Sequence, residues 1–271
     1  WFQDAYLKPP SSATSNTTYR GCVSYANTTW GYSMDIDNMT LAVGTVFDGS
    51  NSGSIINGST LPTQNDTASY LLKGAAIIYK YDGTLWSQEA YIKPSTMCHS
   101  DSTTNSIVGC INEVRFGESI ALDGDDLVVG ARGSKMKGQS IVYGTPYSDD
   151  SALNTGNEGG AAYLFQRSGS NWSQKAIIKA SNADNDDGFS GGANGISIGD
   201  KTIIIGAPEE ESNQTTITTS ASTNNSVSQA GAVYLFTIPQ EVVTVVPTIT
   251  NDNTSNYTFS SNEAGTITYG G

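Results

Sequence analysis

The chain has 271 residues, of which 29 are glycine and only 14% are charged, and its 26 acidic and 13 basic side chains give a net charge of −13. This excess of negative charge argues against binding to nucleic acids and against docking on anionic membranes. No apolar run approaches the length needed for membrane insertion. Because no initiator Met or signal peptide is present, we expect residue 1 to be a processed or trimmed end.

The chain opens on a segment that recurs twice. The pattern Trp-Xaa-Gln-Xaa-Ala-Xaa-(Leu/Ile)-Lys occupies Trp1–Lys8, Trp86–Lys93 and Trp172–Lys179, at spacings of 85 and 86 residues. Regular spacing of this kind indicates an internal repeat. The near alternation of polar and apolar residues predicts a half-buried strand in each copy, called the Trp strand below.

Three more strand patterns accompany each Trp strand. The first opens on an aromatic residue at Trp30, Phe116 and Phe189, with Gly after the first two. The second is an apolar run followed by Gly, and continuous runs predict strands buried on both faces. Its copies are Leu41–Val43, Leu127–Val129 and Ile203–Ile205. The third is a Gly-Ala strand, found at Gly74–Tyr79, Gly160–Phe165 and Gly231–Phe236. One unit therefore has four predicted strands.

These motifs resemble the FG-GAP repeat, the blade unit of integrin-α-like β-propellers and of many bacterial surface proteins. The resemblance covers residues 1–238 and implies an all-β fold, with three four-stranded sheets closed into a small propeller-like ring or prism. Blades of this family often carry a calcium loop between their first two strands. At that place this chain has the short turn Asp123–Asp126, which is too tight to wrap a cation, so the calcium role is not carried over.

The repeats are circularly permuted. The chain starts with a Trp strand, and the last Gly-Ala strand has no Trp strand after it. Residues 1–8 are therefore the missing fourth strand of the last unit. We expect them to pair with Gly231–Phe236, which closes the ring within one molecule and covers an exposed sheet edge. The alternative is that they pair with the last unit of a neighbouring subunit.

Ten Asn-Xaa-Ser/Thr sequons favour a surface glycoprotein. The alternative is that loops rich in Asn, Ser and Thr produce sequons by chance. Asn38 is the weakest candidate because it lies in a tight turn. The nine other candidates are Asn16, Asn27, Asn57, Asn65, Asn171, Asn213, Asn224, Asn253 and Asn256.

The cysteines favour an oxidising compartment. Cys98 and Cys110 flank one loop, and a disulfide between them would stabilise the fold by about 3 kcal/mol. Cys22 has no local partner and is a candidate for a free thiol, an alternative partner or an intermolecular bridge.

No catalytic constellation is evident, and we expect the protein not to be an enzyme. His99 is the only histidine, and any Ser-His-Asp or Cys-His arrangement would have to use it.

One stretch is a candidate calcium site. It carries alternating oxygen side chains before Gly188, as calcium loops do, but lacks the bidentate Glu that completes them. Its candidate ligands are Asn182, Asp184, Asp186 and Asp187. We expect no cofactor other than calcium at this site. The nearby Glu209–Glu211 are interpreted as solvated loop charges.

Residues 239–271 form a tail or an incomplete domain, since they resemble the opening of a bacterial Ig-like domain but supply too few strands for a sandwich. Val242–Ile249 is strongly β-forming and uncharged, so we expect it to need a pairing partner. The candidate assembly residues are Val242, Val243, Val245, Val246 and Ile249. The alternative is that these residues are a linker to a further domain.

The sequence thus predicts an extracellular or cell-surface structural protein that self-assembles by β-strand addition. We expect it to bind no nucleic acid and not to insert into a membrane. Its partner is a second copy of itself, and a filament or a surface layer is the expected product. The alternative is an adhesion module of a larger surface protein that binds a glycan or protein ligand.

Overall fold

The computed structural model describes residues 3, 5–8, 29–46, 48, 55–60, 74–94, 114–134, 141–144, 159–239, 244–247 and 257–260. The chain separates into two compact units, Trp1–Phe236 and Thr237–Gly271. All regular structure among the described residues is β-strand, arranged in antiparallel sheets of five, five, three and two strands. The all-β prediction is confirmed. The described residues include no helix long and apolar enough to span a membrane.

The first sheet contains all four predicted strands of the first unit. Its strands are β1 (Trp30–Asp37), β2 (Thr40–Thr45), β3 (Ile56–Asn57), β4 (Ala75–Tyr81) and β5 (Trp86–Ile92), in the order β1-β2-β4-β5-β3. A two-residue turn at Asn38 and Met39, both with positive φ, joins β1 to β2, as tight hairpins require. The Trp strand β5 pairs with the Gly-Ala strand β4.

The second sheet repeats this arrangement. Its strands are β6 (Phe116–Asp123), β7 (Asp126–Ala131), β8 (Val142–Tyr143), β9 (Ala161–Ser168) and β10 (Asn171–Ile178), in the order β6-β7-β9-β10-β8. The aromatic-Gly strands β1 and β6 both carry a register shift just after their first residue. The Trp strands β5 and β10 carry one in their middle. The two sheets therefore share even their irregularities.

The third sheet is shorter. It consists of β11 (Ile196–Gly199), β12 (Thr202–Ala207) and β13 (Ala232–Thr237), in that order. In the tail, β14 (Thr244–Pro247) pairs with β15 (Tyr257–Ser260). Val245 and Val246, two of the candidate assembly residues, lie in β14 opposite Phe259 and Thr258. Their role in assembly stays a prediction.

Two predictions about the sheets are wrong. The first two sheets have a fifth strand, because β3 and β8 add to the far side of the Trp strands β5 and β10. Among the described strands, the third sheet has three rather than four, and no closed ring forms. The reason is the position of the N-terminal segment: residues 5–8 belong to no strand, and Leu7 packs against the apolar cluster of the first sheet.

The three sheets stack in chain order, each contributing two faces to the stack. We call the face toward the next unit the forward face and the other the backward face. Ala42, Ile78 and Ala90 on the forward face of the first sheet pack in one core with Val129 and other residues on the backward face of the second. The third sheet contacts the second through β11, which lies against β6 and β7. The second sheet thus lies between the other two.

The burial of the apolar runs depends on whether another sheet is stacked on them. Leu127, Val128 and Val129 in β7 are all fully buried, as predicted. In β12, Ile203 and Ile205 are buried, but Ile204 between them is 40% exposed. Ile204 lies on the forward face of the third sheet, which has no further repeat sheet stacked on it among the described residues of the compact unit Trp1–Phe236. The prediction that the whole run Ile203–Ile205 lines the core is therefore wrong at its middle residue.

Val128 and Ile204 occupy the same position in successive units, which makes them a matched pair for mutation. Val128→Asp should lower the free energy of unfolding by at least about 4 kcal/mol, because it buries an unpaired charge. Ile204→Asp should change it by less than about 1 kcal/mol, because that side chain already contacts solvent. Urea unfolding of both variants at a concentration where the protein is monomeric measures this. Equal losses would contradict the assigned faces.

Candidate assembly surface

Backbone contacts at the aromatic end of each unit join one sheet to the next. Gly74 forms a parallel bridge with Phe116, and Gly160 forms the same bridge with Phe189. A Cβ atom at Gly74 would lie 1.9 Å from Phe116 O, and one at Gly160 would lie 2.3 Å from Phe189 O. Glycine is required at both positions, because any side chain would collide with the next unit and both residues have positive φ.

A serine hydroxyl strengthens each junction. Ser33 Oγ donates to Gly117 O at 2.8 Å across the first junction. Ser119 Oγ, one repeat later, donates to Ser190 O at 2.7 Å across the second. Both hydroxyls are buried. The contact between units is therefore a repeated, hydrogen-bonded backbone interface as well as apolar packing.

The third unit has glycines at the same positions, Gly206 and Gly231, and among the described residues no following unit contacts them. Gly206 corresponds to Gly130, where a Cβ would lie 2.7 Å from Ser190 O, yet at Gly206 the nearest atom would be 3.8 Å away and belongs to the same unit. Beside Gly206 lies a cavity of about 550 Å³, lined by Gly195, Pro208, Gly231 and Val233 among others. In the first two units, the equivalent space is filled by the following unit, around Phe116 and Phe189.

The forward face of the third sheet is apolar and exposed. Val233 and Leu235 are 65% and 67% exposed, whereas Leu164, the counterpart of Leu235 in the second sheet, is 5% exposed. Strand β13 is also an edge strand among the described strands of its sheet, while its counterparts β4 and β9 are paired on both sides. An exposed apolar edge strand is a template for pairing with another strand.

A buried carboxylate marks the end of the Gly-Ala edge in the first sheet. Lys93 Nζ lies 2.9 Å from Asp48 Oδ1, and both side chains are fully buried. Tyr91 donates its hydroxyl to the same Asp48 oxygen at 2.6 Å. The Trp strand thus ends in Tyr-Ile-Lys, and its Tyr and Lys bind one carboxylate.

The same position can be traced through all three units by a backbone hydrogen bond. The amides of Gly74, Gly160 and Gly231 donate to the carbonyls of Asp48, Ser134 and Glu210 at 3.0, 3.2 and 2.8 Å. In the second unit, Ser134 occupies the position of Asp48. The Trp strand of the second unit ends in Ile177-Ile178-Lys179, and burial lowers the pKa of Lys179 to about 8. In the third unit the position is occupied by Glu210.

Glu210 is buried and lies among other acidic groups. Its Oε1 accepts from Asn182 Nδ2 at 2.8 Å and its Oε2 accepts from Ser212 Oγ at 2.9 Å. Burial, with smaller contributions from the charges of Glu210 and Asp184, raises the pKa of Asp187 to about 6. Burial and the same negative charge raise the pKa of Tyr234. The interpretation of Glu210 as a solvated loop charge is wrong, because the fold covers it.

The four candidate calcium ligands are largely occupied by hydrogen bonds within the protein. Asn182 Oδ1 accepts from the Tyr234 hydroxyl at 2.7 Å, and Asp187 Oδ2 accepts from the Asp184 amide at 2.7 Å. Asp184 also accepts from Asn225, and Asp186 is exposed. The described residues include no group of three or more acidic, His or Cys side chains arranged to hold a metal ion. The calcium site stays a prediction.

The modification sites are partly described. Asn171, Asn213 and Asn224 are exposed, as a glycan acceptor must be. The side chain of Asn57 bridges two sheets, accepting from Trp172 N at 2.8 Å and donating to Trp172 O at 3.4 Å. The remaining predicted acceptors, the cysteines and His99 lie outside the described residues, as do part of the assembly residues. These are Asn16, Asn27, Asn65, Asn253, Asn256, Cys22, Cys98, Cys110, Val242, Val243 and Ile249.

The comparisons with known proteins place no constraint on this surface. No protein-family model matches the chain, and no curated protein matches it. The likeness to FG-GAP repeats therefore stays a resemblance carried by the motifs.

The pKa of Asp187 gives the acidic group a measurable signature. A carboxyl whose pKa is raised by folding, here from 3.8 to about 6, binds its proton more tightly in the folded chain. Its contribution to stability is present below pH 3.8 and is lost as the pH rises through about 6. Asp187→Asn should therefore flatten the fall in melting temperature between pH 4 and pH 6.5. Asp186→Asn, at the exposed neighbour, serves as the control and should follow the wild type. A wild-type slope in Asp187→Asn would contradict the assignment.

Proposed function

We propose that this protein is an extracellular structural protein that assembles with copies of itself, into a filament or a surface layer, through β-strand addition between subunits. The observation that carries the proposal is the third sheet, which has three described strands, whereas the first two sheets each contain a Trp strand next to the Gly-Ala strand. Strand addition at such an edge supplies main-chain hydrogen bonds and apolar pockets together.

The forward face of the third sheet supports the same conclusion. It presents exposed Ile204, Val233 and Leu235, an open cavity and glycines with space above them. These are the features that the first two sheets bury against a following unit. A repeat that buries its face only against its neighbour leaves such a face open wherever the series stops.

The contact that follows from this geometry is head-to-tail. The forward face belongs to the last unit, and the surface that fits it, the backward face of a unit, belongs to the first. A contact between two different surfaces is heterologous, and it propagates as an open filament when its rotation does not close. The sequons and the cysteines support the extracellular location of such an assembly.

Electron microscopy of the purified chain in negative stain tests the proposal. The wild type should form regular filaments or sheets, and Leu235→Asp should abolish them, because it places a charge at the centre of the face. The melting temperature of that variant as a monomer should stay close to that of the wild type, because Leu235 is already mostly exposed. Leu85→Asp is the matched control, since Leu85 is similarly exposed but lies in a hairpin turn.

Truncation separates the repeat body from the tail as the assembling element. Deletion from Glu241 onward should leave assembly intact if the third sheet carries it. Loss of assembly in this truncation together with normal assembly of Leu235→Asp would assign the contact to the tail. A wild-type chain that stays monomeric at all concentrations would contradict the proposal and favour an adhesion module.

A further inference from the structure

The N-terminal segment already lies where the fourth strand of a preceding sheet would run. Leu7 packs against the cluster of Val43, Ala75, Ile77, Tyr79 and Tyr91, which is the backward face of the first sheet. In the complete part of the stack, Ile92 of the Trp strand β5 packs in the same core as the backward face of the second sheet. Leu7 and Ile92 occupy the same position of the repeat. Leu7 therefore has the same place relative to the first sheet that Ile92 has relative to the second sheet.

The length of the connection agrees with this correspondence. Twenty-one residues separate Lys8 from Trp30, and twenty-two separate Lys93 from Phe116. In the second case the connection leads from the last long strand of one sheet to the first strand of the sheet stacked on it. The first connection has the same start, the same end and nearly the same length. The described strands include no sheet before this first connection.

The side chains at the end of the Trp strand match the acid of the unit they complete. In the first unit, Tyr91 and Lys93 accompany Asp48, and they bind it. In the second unit the tyrosine is replaced by Ile177 and the acid by Ser134. The third unit has the acid, Glu210, so its Trp strand should carry both a tyrosine and a lysine. Among the three Trp strands, the one that remains ends in Tyr6-Leu7-Lys8.

We propose that the N-terminal segment, through Ala5–Lys8, is a donor strand that completes the third sheet of a second copy of this chain, where Tyr6 and Lys8 bind Glu210. The inference rests on the proposed function and specifies its donor, its acceptor and its register. The pairing of β4 with β5 sets Ala76 opposite Ile92 and Ile78 opposite Ala90. The same register sets Leu7 opposite Val233 and Ala5 opposite Leu235, so the apolar residues of the donor extend the exposed face.

The charges of donor and acceptor are complementary. Lys8 and Tyr6 are exposed, Tyr6 by 74%, whereas the lysines at the position of Lys8 in both complete sheets are buried. The hydrogen bonds that Glu210 accepts come from the uncharged side chains of Asn182 and Ser212. A lysine delivered by a second copy would place the opposite charge beside this buried carboxylate, as Lys93 does beside Asp48.

Charge reversal tests the pair and tells a second copy from closure within one chain. Lys8→Glu and Glu210→Lys should each raise the critical concentration for assembly by at least about 100-fold, because each sets like charges together in the interface. A mixture of the two variants should assemble near the wild-type concentration, because each junction of an alternating polymer then joins opposite charges. The double variant in one chain should also assemble. Asp186→Lys is the control for an added positive charge nearby.

A second pair of variants avoids a buried positive charge in the acceptor. Lys8→Met and Glu210→Gln should each weaken assembly, and the double variant should be no weaker than either single one, since both remove one interaction. Circular dichroism and the melting temperature of each monomer show that the acceptor is folded.

The outcomes are distinct. Rescue in the mixture supports the proposal. Assembly of Lys8→Glu at the wild-type concentration would overturn the donor assignment while leaving self-assembly standing. Rescue by the double variant without rescue in the mixture would show closure within one chain and would overturn it too. A wild type that never assembles would defeat both the donor strand and the proposed function.

Discussion

The fold depends on the close approach of one unit's backbone to the next at the aromatic corner. Phe116 and Phe189 reach the backbone of Gly74 and Gly160, and the space there admits no Cβ. Positive φ and close approach are both conditions that only glycine meets without strain. Because each junction is made by the backbone, it can be repeated from unit to unit while the loops between the strands vary freely. The geometry of the junction itself does not limit the number of units that can stack.

The same constraint makes the two ends of the stack complementary. The last unit keeps the open glycine and the apolar forward face, and the first unit keeps Leu7 where a preceding sheet would lie. In the assembly that we propose, the Gly-Ala strand and the Trp strand of one sheet belong to two different molecules. The apolar face that each would leave open alone is then buried in a contact between subunits.

Much of the fold follows from local pattern, and the rest depends on neighbours. The alternation of polar and apolar residues in Trp86–Lys93 predicts β5, because a strand with one buried face carries this pattern in its own sequence. The two-residue strands β3 and β8 have no such signature. Val128 and Ile204 sit in runs of the same pattern, yet only one is buried, because exposure depends on the next sheet. The burial of Glu210 depends on the fold for the same reason, since its three-acid run Glu209–Glu211 alone predicts exposure. Asp48, at the same position of the first unit, is paired with Lys93, 45 residues away in the sequence.

The most direct test of the shared sheet is hydrogen exchange of the amides in Gly231–Phe236, compared between monomer and assembly. In the monomer these amides belong to an edge strand and should exchange much faster than those of Gly160–Phe165, which are paired on both sides. On assembly their exchange should slow to the rate of Gly160–Phe165. Fast exchange of Gly231–Phe236 in a fully assembled sample would contradict the claim that a second copy supplies the fourth strand.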